Sequence, residues 1–152
     1  MKIPYPRQVI LVSSRYKNKD NVMTLSWHSP ASFEPELYTI YVGKQRYSYE
    51  MIRKSKRFCI NFISEDDKEL AITAGRQSGK DTDKFEKIEK EECEKIDCPR
   101  IKKALAYMEC ELTDEIETGD HAVFVGKVVK KDAVKEGKRL FQVEGNNFTT
   151  TI

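Results

Sequence analysis

Residues 24–38, TLSWHSPASFEPELY, set the chain's one tryptophan among small hydroxyl residues. Thr24, Ser26, Ser29 and Ser32 are short donors that can surround an anion without steric cost. Pro30 and Pro35 stiffen the backbone, and Trp27 offers a large flat surface. Backbone N–H groups past the end of a strand lack a ladder partner and add further donors. Anion donors beside a flat aromatic suit a ligand with a phosphate at one end and a ring system at the other. A capped turn around a core tryptophan uses the same residues, and on this stretch alone it is the stronger reading.

Three further stretches could carry chemistry; the first raises the odds of a binding site, though taken alone a surface arginine beside an ordinary helix cap is its commoner meaning. In GKQRYSYEMIRKS (43–55), Arg46 stands just before a predicted helix whose start Ser48 is placed to cap. Helix starts attract phosphates through free N–H groups and the positive dipole end, and arginine adds a bidentate fork. In SGKDTDKF (78–85), Ser78 and Gly79 precede Lys80 and Lys84, which bracket two aspartates. A lysine near a ring that gains negative charge on reduction would stabilise that state; a solvated charge run is the commoner meaning of such a segment. In TGDHAVFVGKV (118–128), His121 follows Asp120 in a tight turn and is a proton donor near neutral pH or a group bonded to its own loop. There is no Ser-His-Asp order, nucleophile elbow, Walker loop or Gly-x-Gly-x-x-Gly, so hydrolase and nucleotidase readings lack support.

The elements that must position these residues are mostly strands. VILVSS (9–14) and NVMTLSW (21–27) read as a hairpin turned at Asn18 and Asp20. LYTIYV (37–42) and RFCINFIS (57–64) follow, with a short helix over 48–55 between them. Ser64 with Asp67 resembles a capping box ahead of a helix closed by Gly75. The polar segment 76–100 reads as a long excursion from the core. Residues 104–117 alternate with period two, as a strand buried on one side: Ala106, Met108, Cys110, Leu112 and Ile116 fall on the apolar face, and Tyr107, Glu109, Glu111, Thr113 and Glu115 on the polar one. Residues 122–134 return, buried on both faces, with Gly126 marking a bulge or a close backbone approach. Residues 139–152 give a last strand segment turned at Gly145-Asn146-Asn147. This order predicts a mainly β single domain over 1–152, a barrel or sandwich with short flanking helices.

Bulk properties narrow the classes. Lys and Arg number 27 against 25 Asp and Glu, a net charge of +2, and the signs are interleaved. A nucleic-acid binder normally carries a stronger basic excess on one face, so a small-barrel DNA or RNA binder is disfavoured. No apolar run approaches the roughly 20 residues that span a bilayer. MKIPYPRQ lacks the apolar core of a signal peptide, so a cytoplasmic protein is expected. Cys59, Cys93, Cys98 and Cys110 fit reduced thiols. Their spacing does not suggest zinc, and no metal site is expected. A Cys93–Cys98 disulfide stays open.

In combination, DNVMTLSWHSPASFEPELYTIYV, RYSYEMIRKSKRFCINF, SGKDTDKF and GDHAVFVGKVV resemble the flavin reductase-like family, the FMN-binding split barrels that include flavoredoxins. The resemblance runs over nearly the whole chain. It implies a split β-barrel of about six antiparallel strands that binds FMN non-covalently, as a homodimer. By position, Thr24, Leu25, Ser26 and Trp27 would line the flavin. Ser29, Ser32, Arg46 and Ser48 would surround its phosphate, and Asn61 would follow on the fourth strand. Ser78, Gly79, Lys80 and Lys84 would approach the ring, with His121 nearby as the catalytic candidate. Lys80 stands where many members carry arginine; lysine keeps the charge and loses the planar fork. The implied function is an oxidoreductase that passes electrons from NADH, NADPH or a redox protein through FMN to free flavin, a metal ion or a redox protein. The alternative is a non-enzymatic FMN electron carrier.

Overall fold

The computed structural model describes residues 3–76 and 78–151. Its strands are β1 (Arg7–Gln8), β2 (Ile10–Tyr16), β3 (Lys19–Leu25), β4 (His28–Ser32), β5 (Leu37–Gly43), β6 (Arg57–Phe62), β7 (Lys90–Glu92), β8 (Pro99–Ile101), β9 (Ala106–Thr118), β10 (His121–Ala133), β11 (Leu140–Glu144) and β12 (Asn147–Thr150). Helix α1 spans Tyr47–Ser55 and α2 spans Lys68–Arg76. Seven strands form one sheet in the order β3-β2-β6-β9-β10-β5-β4, and every adjacent pair is antiparallel. A three-stranded sheet, β1-β11-β12, and the β7-β8 hairpin are separate from it.

Chain connectivity forces the large sheet to curl. Strands β3 and β4 are its two edges, yet Ser26 and Trp27 alone connect them. Three residue steps from Leu25 to His28 reach about 11 Å at full extension. The two edges therefore meet without pairing, and the sheet is a barrel split at that seam. Phe58, Ile60, Ile10, Ile40, Ile52 and Phe124 are buried at its centre.

Local chemistry explains the departures from the predicted elements. Residues 28–32 form an edge strand rather than a loop. Pro30 is tolerated there because an edge strand need not donate every N–H. The β2–β3 turn uses Lys17 and Asn18, both at positive φ, while Asp20 is in β3 and pairs with Arg15 at 2.6 Å. Ser64 accepts from the Asp66 N–H and caps a short 3₁₀ turn, without a reciprocal bond from Asp67. Gly75 is in the last turn of α2, where a Cβ would come within 3.3 Å of the Thr24 hydroxyl; its role is close approach rather than closure. At Gly126 the β9–β10 register shifts and a Cβ would meet Phe58 at 2.6 Å, as the predicted bulge or close approach requires.

Strand β9 is the main correction. Tyr107 and Glu109, assigned to the polar face by alternation, are buried. The excursion folds back as the β7-β8 hairpin and covers that face. The Glu109 carboxylate accepts from the N–H groups of Glu94 and Lys95 at 3.0 and 2.7 Å. A buried carboxylate is tolerated when its lone pairs are filled in this way.

Candidate functional site

A cleft of about 450 Å³ opens at the seam of the barrel, a size normal for a small-molecule site. Thr24, Leu25, Ser26 and Trp27 form one wall, where β3 ends and the chain crosses to β4. The end of β5 and the start of α1 form a second wall, with Arg46 and Ser48. Helix α2 contributes Ala71, Ala74 and Arg76, and Ser78, Gly79 and Lys84 complete that side. His121 enters from β10, opposite Gly43 in the ladder.

Each wall has a local cause. Thr24 Oγ1 donates to the Ala71 carbonyl at 2.5 Å, tying β3 to α2. Lys84 is buried, and its ammonium donates to the carbonyls of Val22 and Ala74 at 2.8 and 2.7 Å. Burial, with Arg46 adding to it, pushes the Lys84 pKa down to about 8. Trp27 stacks on His121, with centroids 4.7 Å apart and planes at 22°. His121 Nδ1 is 2.6 Å from the Asp120 carboxylate; as Nδ1–H it donates there, which leaves Nε2 beside Gly43. Asp120 is held below the usual carboxylate range by that bond.

The start of α1 differs from expectation. Arg46 takes the N-cap position and no side chain caps the helix. Ser48 instead lies inside the first turn, buried, and accepts from Asn21 Nδ2 at 2.9 Å. Among the described residues, the N–H groups of Tyr47 and Ser48 meet no acceptor, so the helix start keeps its anion-attracting end open.

Ten of the fourteen residues singled out in the sequence border the cleft, and four do not. Ser29 and Ser32 fall on β4, and the Ser29 hydroxyl turns to its neighbour's carbonyl. Asn61 is fully buried, donating to the Leu11 carbonyl and to Ser13 and accepting from the Ile101 N–H. It ties β6 to β2 and β8. Lys80 is exposed and outside the lining residues.

Sequence reasoning missed Asn21, Arg76 and the β11–β12 turn, which brings Gly145 and Asn146 to the cleft. Asn21 carried a signal, as an amide opening an apolar strand. Among the described residues its Oδ1 is buried without a partner, and a Cβ at Gly79 would collide with this amide. The turn carried none, because its closeness depends on β1–β11 pairing over 130 residues of chain.

No Asp or Glu lines the cleft among the described residues, although Arg46, Arg76, Lys84 and His121 all do. Among the described residues, neither Arg46 nor Arg76 makes an ion pair there. A cleft with unneutralised cations, a free helix start and a flanking indole is built for an anionic, partly aromatic ligand. An antiparallel barrel split at its seam, with this cleft in the split, defines the class.

Comparison with known proteins agrees. The family model described as flavin reductase like domain matches residues 1–146. An uncharacterized protein of Archaeoglobus fulgidus is 34% identical over 96% of this chain and 89% of its own length. Three solved structures share the architecture. An FMN-binding protein from Thermus thermophilus with bound p-hydroxybenzaldehyde has a TM-score of 0.91 at 23% identity, covering 99% of this chain and 89% of that one. Flavoredoxin from Methanosarcina acetivorans has 0.89 at 24%, covering 97% and 86%. The flavin reductase HpaC complexed with NADP+ has 0.86 at 24%, covering 97% and 91%. At these identities the structures establish the fold, which is the FMN-binding split barrel. The chain belongs to the flavin reductase like domain family. No helix among the described residues is long and apolar enough to cross a membrane.

Proposed function

We propose that the seam cleft binds FMN non-covalently and that the chain is a flavoprotein oxidoreductase. It would take electrons from NADH, NADPH or a redox protein and deliver them to free flavin, a metal ion or a second redox protein. The observation that carries the reading is the absence, among the described residues, of any carboxylate from a cleft lined by Arg46, Arg76 and Lys84. Such a lining favours a phosphate. The Asn21 Oδ1, without a partner among the described residues, fits a ligand with donor groups along its length, and Gly79 lets its loop come close to that amide. The named relatives support the choice of flavin over other phosphate-bearing aromatics.

The cofactor, when bound, supplies the electron transfer. The chain's own residues do the rest. Arg46 and the free N–H groups of α1 hold the phosphate. Ser26 and Trp27 line the ring. Lys84, anchored by two carbonyls, sets a positive charge in the cleft that favours an anionic ring. His121, fixed by Asp120, presents Nε2 for proton exchange on the Trp27 side. A homodimer goes with this reading: Phe33 at the β4–β5 turn is 99% exposed and Trp27 is 43% exposed, both large apolar groups near the seam.

The test is reconstitution. Purified protein incubated with FMN and desalted should stay yellow at one flavin per chain, and should then oxidise NADH or NADPH when an acceptor is supplied. Loss of all flavin on desalting, with no quenching of FMN fluorescence on titration, would overturn the binding reading. Retained flavin with no turnover on either nucleotide would leave the electron-carrier alternative.

A further inference from the structure

A second cluster of reactive side chains lies outside the barrel. Cys59 on β6 and Tyr107 on β9 point away from the central core and pack with Ile96, Cys98 and Cys93 of the covering hairpin. All four cysteines are free thiols. Within the hairpin Glu92 pairs with Pro99, so Cys93 and Cys98 are the next opposed pair. The Cys93 N–H donates to the Cys98 carbonyl at 2.9 Å. Opposed residues in a hydrogen-bonded antiparallel pair have Cα atoms about 5.5 Å apart, inside the roughly 4.4–6.8 Å that a disulfide spans. Cys98 and Cys59 are fully buried, whereas Cys93 is partly open to solvent.

The surroundings select one sulfur as the nucleophile. The neighbouring Cys59 and Cys98 thiols favour the Cys93 thiolate, and Arg100 adds to them, against burial and the charge of Glu109, so its pKa is pushed down to about 5; the Cys98 thiol itself donates to the Ser13 carbonyl at 3.3 Å. Burial pushes Cys59 and Cys98 the other way, and they stay thiols. A partly exposed thiolate next to a buried thiol is the arrangement that reacts with peroxides and then closes a bridge. Among the described residues, no group of three or more His, Cys, Asp and Glu side chains is placed to hold a metal ion.

We propose that Cys93 and Cys98 form a hydroperoxide-reactive dithiol, with Cys93 as the attacking sulfur and Cys98 as the resolving one. The Cys93 thiolate attacks the terminal peroxide oxygen. The O–O bond breaks, an alcohol or water leaves with a proton, and Cys93 becomes a sulfenic acid. The Cys98 thiol then attacks that sulfur, the S–OH bond breaks, and water leaves as the disulfide forms. Two thiols lose two electrons in total, and the peroxide gains them. Cys59 is fully buried, its pKa is raised by that burial, and it stays reduced.

The test uses full-length protein freed of reductant, treated with hydrogen peroxide, alkylated and digested with trypsin. Cleavage after Lys90, Lys95 and Arg100 separates the two cysteines, so the bridge reads out as the linked peptides EECEK and IDCPR. The expected result is that linked pair, reversed by dithiothreitol, with Cys59 and Cys110 still alkylated. Cys98→Ser should leave a sulfenic acid on Cys93 that dimedone traps, and Cys93→Ser should leave Cys98 reduced. Iodoacetamide should modify wild-type Cys93 at a nearly constant rate from pH 6.5 to 8.5, where an ordinary thiol rises roughly 50-fold. A Cys59–Cys93 bridge, a bridge formed only in urea, or Cys93 reacting no faster than free cysteine would each overturn the proposal.

Discussion

Arg46→Ala separates the phosphate end of the proposed ligand from the rest of it. The guanidinium caps nothing with its side chain and makes no ion pair among the described residues, so its removal should change stability by no more than about 0.5 kcal/mol. Bound to a phosphate, the same group makes charge-assisted hydrogen bonds worth about 1.5–3 kcal/mol. The dissociation constant for FMN should therefore rise roughly 10- to 150-fold. Riboflavin supplies the internal control, because it carries the ring and ribityl chain without the phosphate. Fluorescence quenching titrations of wild type and variant with both ligands should show the loss for FMN and an unchanged, weaker affinity for riboflavin. The FMN affinity of the wild type should also fall with added salt more steeply than that of the variant. Equal losses for FMN and riboflavin would refute the reasoning, since the arginine would then be shaping the cleft rather than holding an anion.

Other perturbations address other walls. Trp27→Ala removes both the proposed ring contact and the stack on His121, and should shift the visible absorption of the bound flavin; an unaltered spectrum would take Trp27 out of contact. Lys84 has a free-state pKa near 8, and an anion in the cleft favours its charged form and raises that pKa. FMN affinity should thus be constant from about pH 7, where the phosphate is fully ionised, to pH 8, and fall by up to tenfold per pH unit above it, until the pKa of the complex is reached. Lys84→Met should flatten that profile, and a profile rising with pH would have the wrong sign. Glu109→Ala strands two N–H groups and leaves Arg100 without its buried partner, 3.8 Å away. It should cost about 3 kcal/mol in urea unfolding with FMN binding intact.

What the sequence revealed depended on the range of the interaction involved. Strand and helix positions followed from local pattern: the alternation of 104–117, the apolar runs of β2 and β5, and the glycine at 126 were all sufficient. The cleft-lining stretch 24–27 was also visible, because a tryptophan among hydroxyls is a local anomaly. The failures were non-local. Residues 28–32 looked like a loop because prolines mark loops, and only a partner strand on one side turns them into an edge. Glu109 looked solvated because a hairpin 8–19 residues upstream covers it. Asn61 was placed at the site by resemblance, yet three hydrogen bonds from distant strands consume its amide. Ser48 looked like a cap because it opens a helical pattern, and the buried amide of Asn21 claims it instead.

Charge shows the same limit most clearly. Opposite signs alternate along the chain and almost cancel, which argues for an ordinary solvated surface. The fold sorts them. Arg15 meets Asp20, Glu92 and Asp97 within 2.8 Å, Arg53 meets Glu50 and Glu115, and Arg100 meets Glu91. These pairs brace the outside of the barrel and the covering hairpin. Arg46, Arg76 and Lys84 are left facing one cleft with no carboxylate on its walls among the described residues. Burying the Lys84 ammonium there, with Arg46 adding like charge, destabilises the empty protein, as the depressed Lys84 pKa records. Such a cost persists only where something bound removes it, and a net charge near zero conceals it because the compensating acids are spent elsewhere. The informative quantity is therefore the charge of the cleft lining, and it is readable only once β3 and β4 have been brought together by the two residues that join them.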